Sequence, residues 1–486
     1  MTAADRVLFV VSELFPFAKT GGLGDVSAAL PPALRAAGVD CRLLVPGYQS
    51  ILDSIDLKTV VRGLRLIPAV HRPASILSGR LPDGTPVYVL RCPALFERDG
   101  GPYQDSSGID WSDNTERFAL LGAAAAMLCN DETPLRWHPT VMHINDWQAG
   151  LGAAFRAYDD RPGARVLASV HNLSFAGEFT HPSVTELGLP AWSYSPNGLE
   201  FYGRGSFLKA ALFFADHITT VSPTYADEIT TPDFGGGFEG LLESRRAGLT
   251  GILNGIDSDV WNPQTDPHLA KRYDSSSLEQ KSDNKRALRE RLNLNPDSNQ
   301  PLLGSVSRLT WQKGIDLVAE CAPQWLAQGL QIAIVGTGEQ ALEARLKQLA
   351  EQFPGQMSVF IGYDEPLSHL MEAGLDMFLM PSRFEPCGLN QMYSMAYGTP
   401  PVVRRTGGLA DTVVDERSAE IATGFVFDQG HASDLDLTVQ HAVSVWHNPP
   451  RWHALQMNAM AADFSWPKSA LAYQNLYAEL RGRGPR

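Results

Sequence analysis

Two basic side chains follow a short apolar run in the second half of the chain, where they could bind a phosphorylated ligand. Arg308 and Lys313 lie in "SRLTWQKG", directly after the run Leu302–Val306. Two cations at the end of a strand could clamp a diphosphate and offset its negative charge as it departs, without a metal. Two solvated surface charges would show the same spacing, so the pair by itself is compatible with both interpretations.

A carboxylate has a similar placement further along, in "MPSRFEPCGLNQ". Glu385 stands between Phe384 and Pro386, after an apolar run and before a predicted helix. A carboxylate on a stiff loop could hold sugar hydroxyls or lie near an electron-poor anomeric carbon, but it could equally cap the helix. Cys387 is more typical of a packed small residue than of a nucleophile, because no histidine lies near it in the sequence.

Polar and aromatic residues also follow apolar runs elsewhere. In "SVHNLSFAG", His171 could donate a hydrogen bond to a sugar hydroxyl, or be satisfied within the core. In "HINDWQAG", Asp146 and Trp147 are expected to be exposed at the edge of a sheet. Tyr363, in "IGYDE", could stack on a nucleotide base or simply pack at an interface.

A glycine turn occurs twice, as "AKTGGLGD" at residues 18–25 and as "RRTGGLAD" at residues 404–411. Paired glycines allow a tight turn whose N–H groups come close to a ligand, and a helix N-terminus beyond it favours an oxyanion or phosphate. A plain strand-to-helix turn is the alternative for either copy. After the first copy, Pro31 and Pro32 predict a helix broken into two pieces.

Two series of continuous apolar runs must position these residues. Runs of this kind between helical stretches predict parallel strands buried on both faces, and therefore doubly wound α/β sheets. The first series is Val7–Val11, Cys41–Val45, Val87–Leu90, Val141–Ile144, Val166–Val170 and Ile218–Val221, and the second is Leu302–Val306, Ile332–Val335, Val359–Ile361, Met377–Met380 and Pro401–Val403.

The length of 486 residues predicts two domains. A hydrophilic stretch from about Asp257 to Gln300 separates the two series, so we place the boundary in "ILNGID" and expect domains of residues 1–252 and 253–465. The segment "FSWPKSALAYQNLYAEL" predicts a closing helix, with Ser465 before it and Pro467 in its first turn.

Composition excludes several classes of protein. A net charge of −14 argues against a nucleic-acid partner, which would need a basic surface. No apolar run is long enough for a signal peptide or a membrane span, and five scattered cysteines without a CxxC pair suit a reducing cytoplasm and argue against a zinc site. The lone GxG of "VGTGEQ" is not a dinucleotide fingerprint, which disfavours a dehydrogenase.

Seven motifs in one order resemble those of bacterial glycogen synthases and plant starch synthases that use ADP-glucose. They are "KTGGLGDV", "HNLSFAG", "VSPTYADEI", "GILNGIDSDVWNP", "SRLTWQKG", "PSRFEPCGLNQ" and "RTGGLADTV". The resemblance extends from residue 6 to about residue 480. It implies the GT-B fold, in which two Rossmann-like doubly wound parallel-sheet domains face a deep cleft and a C-terminal helix, here 466–486, packs back on the first domain.

The resemblance also implies the reaction. Glucose would pass from ADP-glucose to the 4-hydroxyl at the non-reducing end of an α-1,4-glucan, in glycogen biosynthesis, with retained configuration and no metal or cofactor. No residue stands out as an enzymic nucleophile, so we favour front-face attack in which the leaving phosphate accepts the proton of the acceptor. Domain closure about residues 253–257 would bring the two halves together.

The matching motifs imply roles for individual residues. In the first domain, Lys19 should contact donor phosphate or sugar beside the backbone of Gly21 and Gly22, and His171, with Asn172 beside it, should bind the transferred glucose.

In the second domain, Arg308 and Lys313 should neutralise the leaving ADP, Glu385 should hold the glucose, and Tyr363 should stack on adenine. Further expected substrate contacts are Asp25, Asp146 on the acceptor side, Cys387, Gly388, Asn390, Thr406 and Gly407. The family usually has Thr where Asn390 stands, so we expect an altered phosphate contact there, and Ser174 and Phe175 are expected to change the fit of the acceptor.

Three alternatives stay open at this point. A starch synthase of the same family would have the same motifs, and a catalytically silent glucan-binding protein would keep the same charges. A glucan phosphorylase would need a lysine that holds pyridoxal phosphate, and no motif indicates one. The choice between ADP-glucose and UDP-glucose also stays open.

Overall fold

The computed structural model describes residues 5–418 and 421–484 of the chain. The chain divides into two compact units, one of Met1–Gly255 with Trp466–Arg486 and the other of Ile256–Ser465. We call them the first unit and the second unit. Among the described residues, no helix is long and apolar enough to cross a membrane.

Two sheets make up the strands of the first unit. In the described part of the chain, the main sheet has nine strands in the order β12-β11-β7-β6-β1-β2-β5-β4-β3, and β8, β10 and β9 form a small antiparallel sheet. The pairings of the main sheet are parallel except those of β4 with β3 and β5. The strands are β1 Arg6–Val10, β2 Asp40–Pro46, β3 Lys58–Leu64, β4 Ala74–Arg80, β5 Pro86–Arg91, β6 Val141–Asn145, β7 Arg165–Val170, β8 Glu178–Phe179, β9 Glu200–Phe201, β10 Arg204–Ser206, β11 His217–Thr220 and β12 Leu249–Gly251.

All six apolar runs of the first series are confirmed as strands: β1, β2, β5, β6, β7 and β11. The strands that the sequence did not predict are short or lie at or next to an edge of the main sheet. β3, for example, alternates between half-buried and exposed residues along its length, so it lacks the continuous apolar run that marks a strand buried on both faces.

Helices connect these strands. They are α1 Gly22–Ala36, α2 Gln49–Ser54, α3 Pro93–Phe96, α4 Asn114–Leu128, α5 Asp146–Ala157, α6 Ser183–Glu186, α7 Phe207–Phe214, α8 Pro223–Glu228 and α9 Glu239–Ser244. The predicted break at Pro31 and Pro32 is wrong, because α1 is continuous through both. Each proline removes only one backbone donor, and burial of Leu30 and Leu34 on the inner face holds the helix together.

The second unit has a six-stranded sheet among its described residues, in the order β15-β14-β13-β16-β17-β18. All of its pairings are parallel, which is the strand order of a Rossmann fold. The five runs of the second series are confirmed, and only the three-residue β18 was not predicted. The strands are β13 Leu302–Val306, β14 Gln331–Gly336, β15 Met357–Ile361, β16 Met377–Met380, β17 Pro401–Arg404 and β18 Phe425–Phe427.

The helices of the second unit cover both faces of this sheet, as a doubly wound fold requires. They are α10 Lys281–Arg291, α11 Ile315–Ala327, α12 Gln340–Gln352, α13 Glu365–Gly374, α14 Asn390–Ala396, α15 Gly407–Thr412, α16 Ala432–Trp446 and α17 Pro449–Met460. The last helix of the chain, α18 Trp466–Gly482, belongs to the first unit. There the hydroxyl of its Tyr477 lies 2.8 Å from Nδ1 of His143 in β6.

Candidate active site

The strand order of the second unit places two predicted loops side by side. β13 lies between β14 and β16. The connection that leaves β13 and the connection that leaves β16 therefore run toward opposite edges of the sheet. Such a switch point opens a crevice at the carboxyl ends of the strands, where doubly wound proteins bind ligands. The loop after β13 carries Arg308 and Lys313, and the loop after β16 carries Glu385.

Lys313 and Glu385 form a close ion pair at this switch point. Nζ of Lys313 lies 2.6 Å from Oε2 of Glu385, and the Ser382 hydroxyl donates to the same oxygen over 2.9 Å. The Glu385 side chain is 6% exposed and that of Lys313 18% exposed. The pair therefore joins two residues that the sequence separates by more than 70 positions and holds the lysine at the end of the sheet.

Arg308 and Tyr363 present exposed groups at the same edge of the sheet. Arg308 donates to the Gln312 side chain over 3.3 Å and forms no ion pair within the part of the chain that the structure describes. Tyr363, just beyond β15, is 69% exposed. The two loops at the switch point are also linked directly, because the Arg383 N–H donates to the Gln312 carbonyl over 2.8 Å.

The segment after Glu385 packs closely against β13. Asn390 begins α14, and its side-chain nitrogen donates to the carbonyl of Val306 over 2.6 Å. Cys387 is buried, and Gly388 has a φ of +70°. Asn390 thus ties the Glu385 loop to the end of β13, just before Arg308, and its predicted phosphate contact stays a prediction.

The second copy of the glycine turn packs against the backbone of the Glu385 loop. Thr406, Gly407 and Gly408 are buried, and the Gly408 N–H donates to the carbonyl of Glu385 over 3.0 Å. A Cβ atom at Gly407 would lie 2.0 Å from that carbonyl oxygen. Glycine is therefore required here by close packing, and the expected substrate contacts of Thr406 and Gly407 stay predictions.

The main sheet of the first unit has a corresponding switch point at β1, which lies between β2 and β6. The segment after β1 leads to Lys19, the chain after β6 continues into Asp146, and His171 follows β7. The three residues come from adjacent parallel strands, so the carboxyl edge of this sheet also gathers predicted site residues.

The first glycine turn is open to solvent. Lys19, Thr20, Gly21 and Gly22 are exposed, and a Cβ atom at Gly21 would have nothing within 4 Å. Nζ of Lys19 lies 2.7 Å from Oδ1 of Asp25 in the first turn of α1. The Gly21 N–H donates to the carboxylate of Glu13, a buried residue that the sequence analysis did not single out.

Asp146 connects the ends of β6 and β7. It has a φ of +55°, and its Oδ1 accepts hydrogen bonds from the backbone N–H groups of His171 at 2.7 Å and Asn172 at 3.4 Å. Burial raises the pKa of Asp146 to about 7, although these hydrogen bonds lower it. A non-glycine residue with positive φ at a strand end is a site of backbone strain, which clusters at functional positions.

His171 is neutral at physiological pH. Burial lowers its pKa to about 4, and its Nε2 lies 3.0 Å from Oδ1 of Asn145. A neutral imidazole can exchange hydrogen bonds with a sugar hydroxyl without adding charge.

The predicted exposure of Trp147 is wrong. Its ring is half-buried and packs edge-on against Phe118 at 5.1 Å and Phe207 at 5.7 Å between ring centroids. α5 begins at Asp146 and turns the next side chain inward, which alternation along a strand could not reveal.

Asn254 is a second candidate that the sequence analysis did not single out. It lies in "ILNGID" and is 5% exposed, yet its Oδ1 has no hydrogen-bond partner among the described residues. A buried polar atom without a partner is rare and marks a candidate ligand contact. No group of three or more His, Cys, Asp or Glu residues within residues 5–418 and 421–484 is arranged to hold a metal ion.

Two family descriptions match the chain. Residues 6–244 match "Starch synthase catalytic domain" and residues 287–453 match "Glycosyl transferases group 1". The two matches fall within the first and second units respectively.

Similar proteins include the glycogen synthases of Nitrosomonas eutropha and Nitrosomonas europaea. The first is 50% identical over 98% of this chain and 96% of its own length, and the second is 48% identical over 98% of each.

Among solved structures, the catalytic domain of starch synthase IV from Arabidopsis thaliana, bound to ADP and acarbose, has a TM-score of 0.87 and 30% identity. It covers 99% of this chain and 100% of that chain. A sucrose-phosphate synthase from Thermosynechococcus elongatus shares the fold at a TM-score of 0.59 and 19% identity. The two parallel-sheet units and their loops at the switch points, together with these similarities along nearly the whole chain, show that the protein belongs to the glycogen and starch synthase family of glycosyltransferases, which has the GT-B fold.

Proposed function

We propose that this chain is a glycogen synthase that transfers glucose from ADP-glucose to the 4-hydroxyl at the non-reducing end of an α-1,4-glucan, with retention of configuration. The observation that carries the proposal is the Lys313–Glu385 ion pair at the switch point of a Rossmann sheet, in a chain 50% identical to a glycogen synthase. ADP and acarbose are bound to the similar starch synthase IV, which supports a nucleotide donor and a glucan acceptor.

The charges of the second unit suit the cleavage of a glucose–phosphate bond. Breaking this bond builds positive charge on the sugar and negative charge on ADP, and preorganised charges at both ends lower the barrier. Arg308 and Lys313 stabilise the diphosphate as it leaves. Glu385, held through Ser382, binds the glucose near the reacting carbon.

The first unit supplies further contacts with the substrates. Lys19 contacts the phosphate or sugar of the donor, and the neutral His171 binds a hydroxyl of the transferred glucose. Asp146 lies on the acceptor side. Its Oδ1 accepts the backbone N–H of His171, so this side chain orders the end of β7 and is not assigned as a nucleophile. Front-face attack, with the leaving phosphate as the proton acceptor, needs no enzymic nucleophile and accounts for retention.

We also place the reaction in the cytoplasm. All five cysteines are buried and none forms a disulfide, as suits a reducing compartment.

Initial rates of labelled glucose incorporation into glycogen test the function. ADP-glucose and UDP-glucose are compared as donors on the full chain. We expect incorporation from ADP-glucose, whereas a protein that binds glycogen but incorporates glucose from neither donor would be a silent glucan-binding protein.

Lys313→Ala tests the role of the ion pair. We expect turnover to fall about 10²- to 10³-fold, the usual cost of removing one stabilising donor. Lys347→Ala, at an exposed lysine of α12, is the matched control and should keep wild-type turnover. Near-normal turnover of Lys313→Ala would show that the assignment of this lysine is wrong.

A further inference from the structure

We propose that Glu13 is a positioning residue whose buried carboxylate shapes the turn that presents Lys19 to the donor. The inference rests on the proposed function, because it takes Lys19 as a donor contact. Glu13 itself is expected to touch no substrate.

The two carboxylate oxygens of Glu13 have separate sets of partners. Oε2 accepts the backbone N–H groups of Thr20 at 2.8 Å and Gly21 at 3.2 Å. Oε1 accepts the hydroxyls of Thr20 at 2.7 Å and Tyr103 at 2.7 Å. Since Glu13 is only 4% exposed, four donors converge on a carboxylate that is almost fully removed from water.

The carboxylate is itself held in place from two sides. The Tyr103 hydroxyl also lies 2.8 Å from the Ser12 hydroxyl, and the Tyr103 ring packs against Phe118. The backbone carbonyl of Glu13 accepts the hydroxyl of Ser27 in α1 over 2.7 Å. Glu13 therefore has little freedom to move, and the turn bonded to it is equally restricted.

Glu13 acts on Lys19 through the backbone and not as its counter-ion. The ion pair that the described residues give Lys19 is with Asp25, and Glu13 binds the two residues that follow the lysine. The turn is otherwise open, because Thr20 and Gly21 are exposed and no other side chain crowds the Gly21 position. These hydrogen bonds therefore restrain the backbone that carries Lys19, while the ion pair with Asp25 and the Phe15 ring, 5.1 Å away, direct its Nζ.

Two substitutions separate positioning from charge. Glu13→Gln can keep the geometry, because the amide oxygen can accept both backbone N–H groups while the two hydroxyls reverse and accept from the amide nitrogen. Glu13→Leu has a similar size but accepts no hydrogen bond, so it frees the turn. A positioning role predicts that Gln rescues function and Leu does not.

The measurement is the kinetics of glucose transfer with each substrate varied in turn. For Glu13→Leu we expect kcat/KM for ADP-glucose to fall about 10- to 100-fold, because small displacements of a binding group have effects of this size. The KM for glycogen should stay within about twofold, and Glu13→Gln should stay within about threefold of wild type for both substrates. Glu416→Leu is the matched control, since the Glu416 side chain is 8% exposed and contacts His441 and Arg451 in the second unit.

Three results would overturn the inference: normal kcat/KM for ADP-glucose in a folded Glu13→Leu variant, an equal loss in Glu13→Gln, or an equal rise in both KM values. If Glu13→Leu does not fold, the double variant Thr20→Val/Tyr103→Phe removes both hydroxyl donors of Oε1. It should lower kcat/KM for ADP-glucose about 3- to 10-fold, and no change would overturn the inference. A wild-type chain inactive with both nucleotide sugars would instead contradict the proposed function.

Discussion

The two copies of the glycine turn have nearly the same sequence but opposite environments. We call residues 18–25 the first turn and residues 404–411 the second turn. In the first turn, the threonine and both glycines are exposed, and a methyl group at Gly21 would contact nothing. In the second turn, the corresponding residues are buried, and a methyl group at Gly407 or Gly408 would lie 2.0 Å from a backbone oxygen.

The hydrogen bonds of the two turns differ as well. In the first turn, the Gly21 N–H donates to a side chain, the carboxylate of Glu13. The Gly408 N–H of the second turn donates to the backbone carbonyls of Glu385 and Pro386. The basic residue of the first turn, Lys19, pairs with Asp25 at the helix start, whereas Arg405 of the second pairs with Asp428 after β18.

The difference teaches that one local pattern serves two physical purposes. In the second turn, glycine is needed so that two loops of the same unit can approach closely, and the turn acts through Glu385. In the first turn, no described atom lies within 4 Å of the Cβ position of Gly21, so this space is available to a ligand. The same motif thus adopts two backbone conformations, with a φ of −155° at Gly21 and +42° at Gly407, and the surroundings decide which of them forms.

The largest expected effect is on kcat/KM for ADP-glucose, and it distinguishes Lys19 of the first turn from Arg405 of the second. We expect Lys19→Ala to lower kcat/KM for ADP-glucose about 10²- to 10³-fold, because it removes a cation from the proposed donor site. Arg405→Ala removes an exposed ion pair, worth at most about 1 kcal/mol, and should leave kcat/KM within about twofold. Steady-state kinetics checks both, and similar losses in the two variants would contradict the distinction between the turns.

The glycines give the next largest contrast, in stability. Gly408→Ala should lower the free energy of unfolding by about 3 kcal/mol, because the new methyl group overlaps the Cys387 carbonyl. Gly21→Ala should change it by less than about 0.5 kcal/mol, since the backbone there is extended and the position is open.

Chemical denaturation measures the stability of both variants, and donor kinetics completes the comparison. In Gly21→Ala we expect the KM for ADP-glucose to rise about tenfold, as the methyl group intrudes on the proposed phosphate position. A stable variant with an unchanged KM would indicate that no ligand approaches the first turn.

The buried carboxyl of Asp146 predicts that the free energy of unfolding depends on pH. The folded pKa of Asp146 is raised to about 7, so folding favours its protonated form. The stability that this group contributes is fully present below about pH 4 and is lost as pH rises to about 7, at up to about 1.4 kcal/mol per pH unit.

Asp146→Asn isolates this contribution from those of other groups. The free energy of unfolding of wild type minus that of Asp146→Asn should decrease between about pH 4 and pH 7. Asp428→Asn, at a carboxylate whose side chain is 66% exposed beside the second turn, is the control. A flat difference for Asp146→Asn would mean that its carboxyl is not shielded from water.

The smallest effect concerns the one small residue that differs between the turns, Gly24 against Ala410. A methyl group at Gly24 would lie 3.0 Å from Cγ and 3.1 Å from Cβ of Lys19, so Lys19 must shift by a few tenths of an ångström to admit it. Gly24→Ala gains helix propensity in α1 but crowds Lys19, so we expect the free energy of unfolding to change by less than about 1 kcal/mol and the KM for ADP-glucose by no more than about twofold. Ala410→Gly should destabilise α15 by a similar amount, and a large loss of activity in Gly24→Ala would mean that Lys19 has no room to move.

The residues of the candidate site could be predicted only in part from the sequence. Arg308, Lys313 and Glu385 could be named in advance because each follows a buried parallel strand, and such strands carry continuous apolar runs. The order of these strands in the sheet brings Lys313 within 2.6 Å of Glu385. Neither sequence segment by itself predicts that order. Glu13 and Asn254 were missed because no local pattern marks a polar side chain as buried, and the folded chain leaves them only 4% and 5% exposed.

The hydrophilic stretch after residue 257 shows how composition can mislead about packing. The Asp266 carboxylate lies 2.7 Å from Nδ1 of His369, and the Trp261 ring stacks on the His369 ring at 3.9 Å. This segment is therefore folded into the second unit, although its composition is that of a connection between domains. Its polar residues are buried together as partners, which a count of polar residues does not reveal.

By itself, the sequence determined the two-domain α/β class, nearly every buried strand, the glycine turns and the charged residues at strand ends, because these depend on local apolar pattern and backbone freedom. Only the tertiary structure decided that α1 continues through its prolines, that Trp147 faces inward, that the second turn supports Glu385 and that Glu13 holds the first. Each of these depends on which distant segments become neighbours, and the free energy of burial and hydrogen bonding between them outweighs local preference.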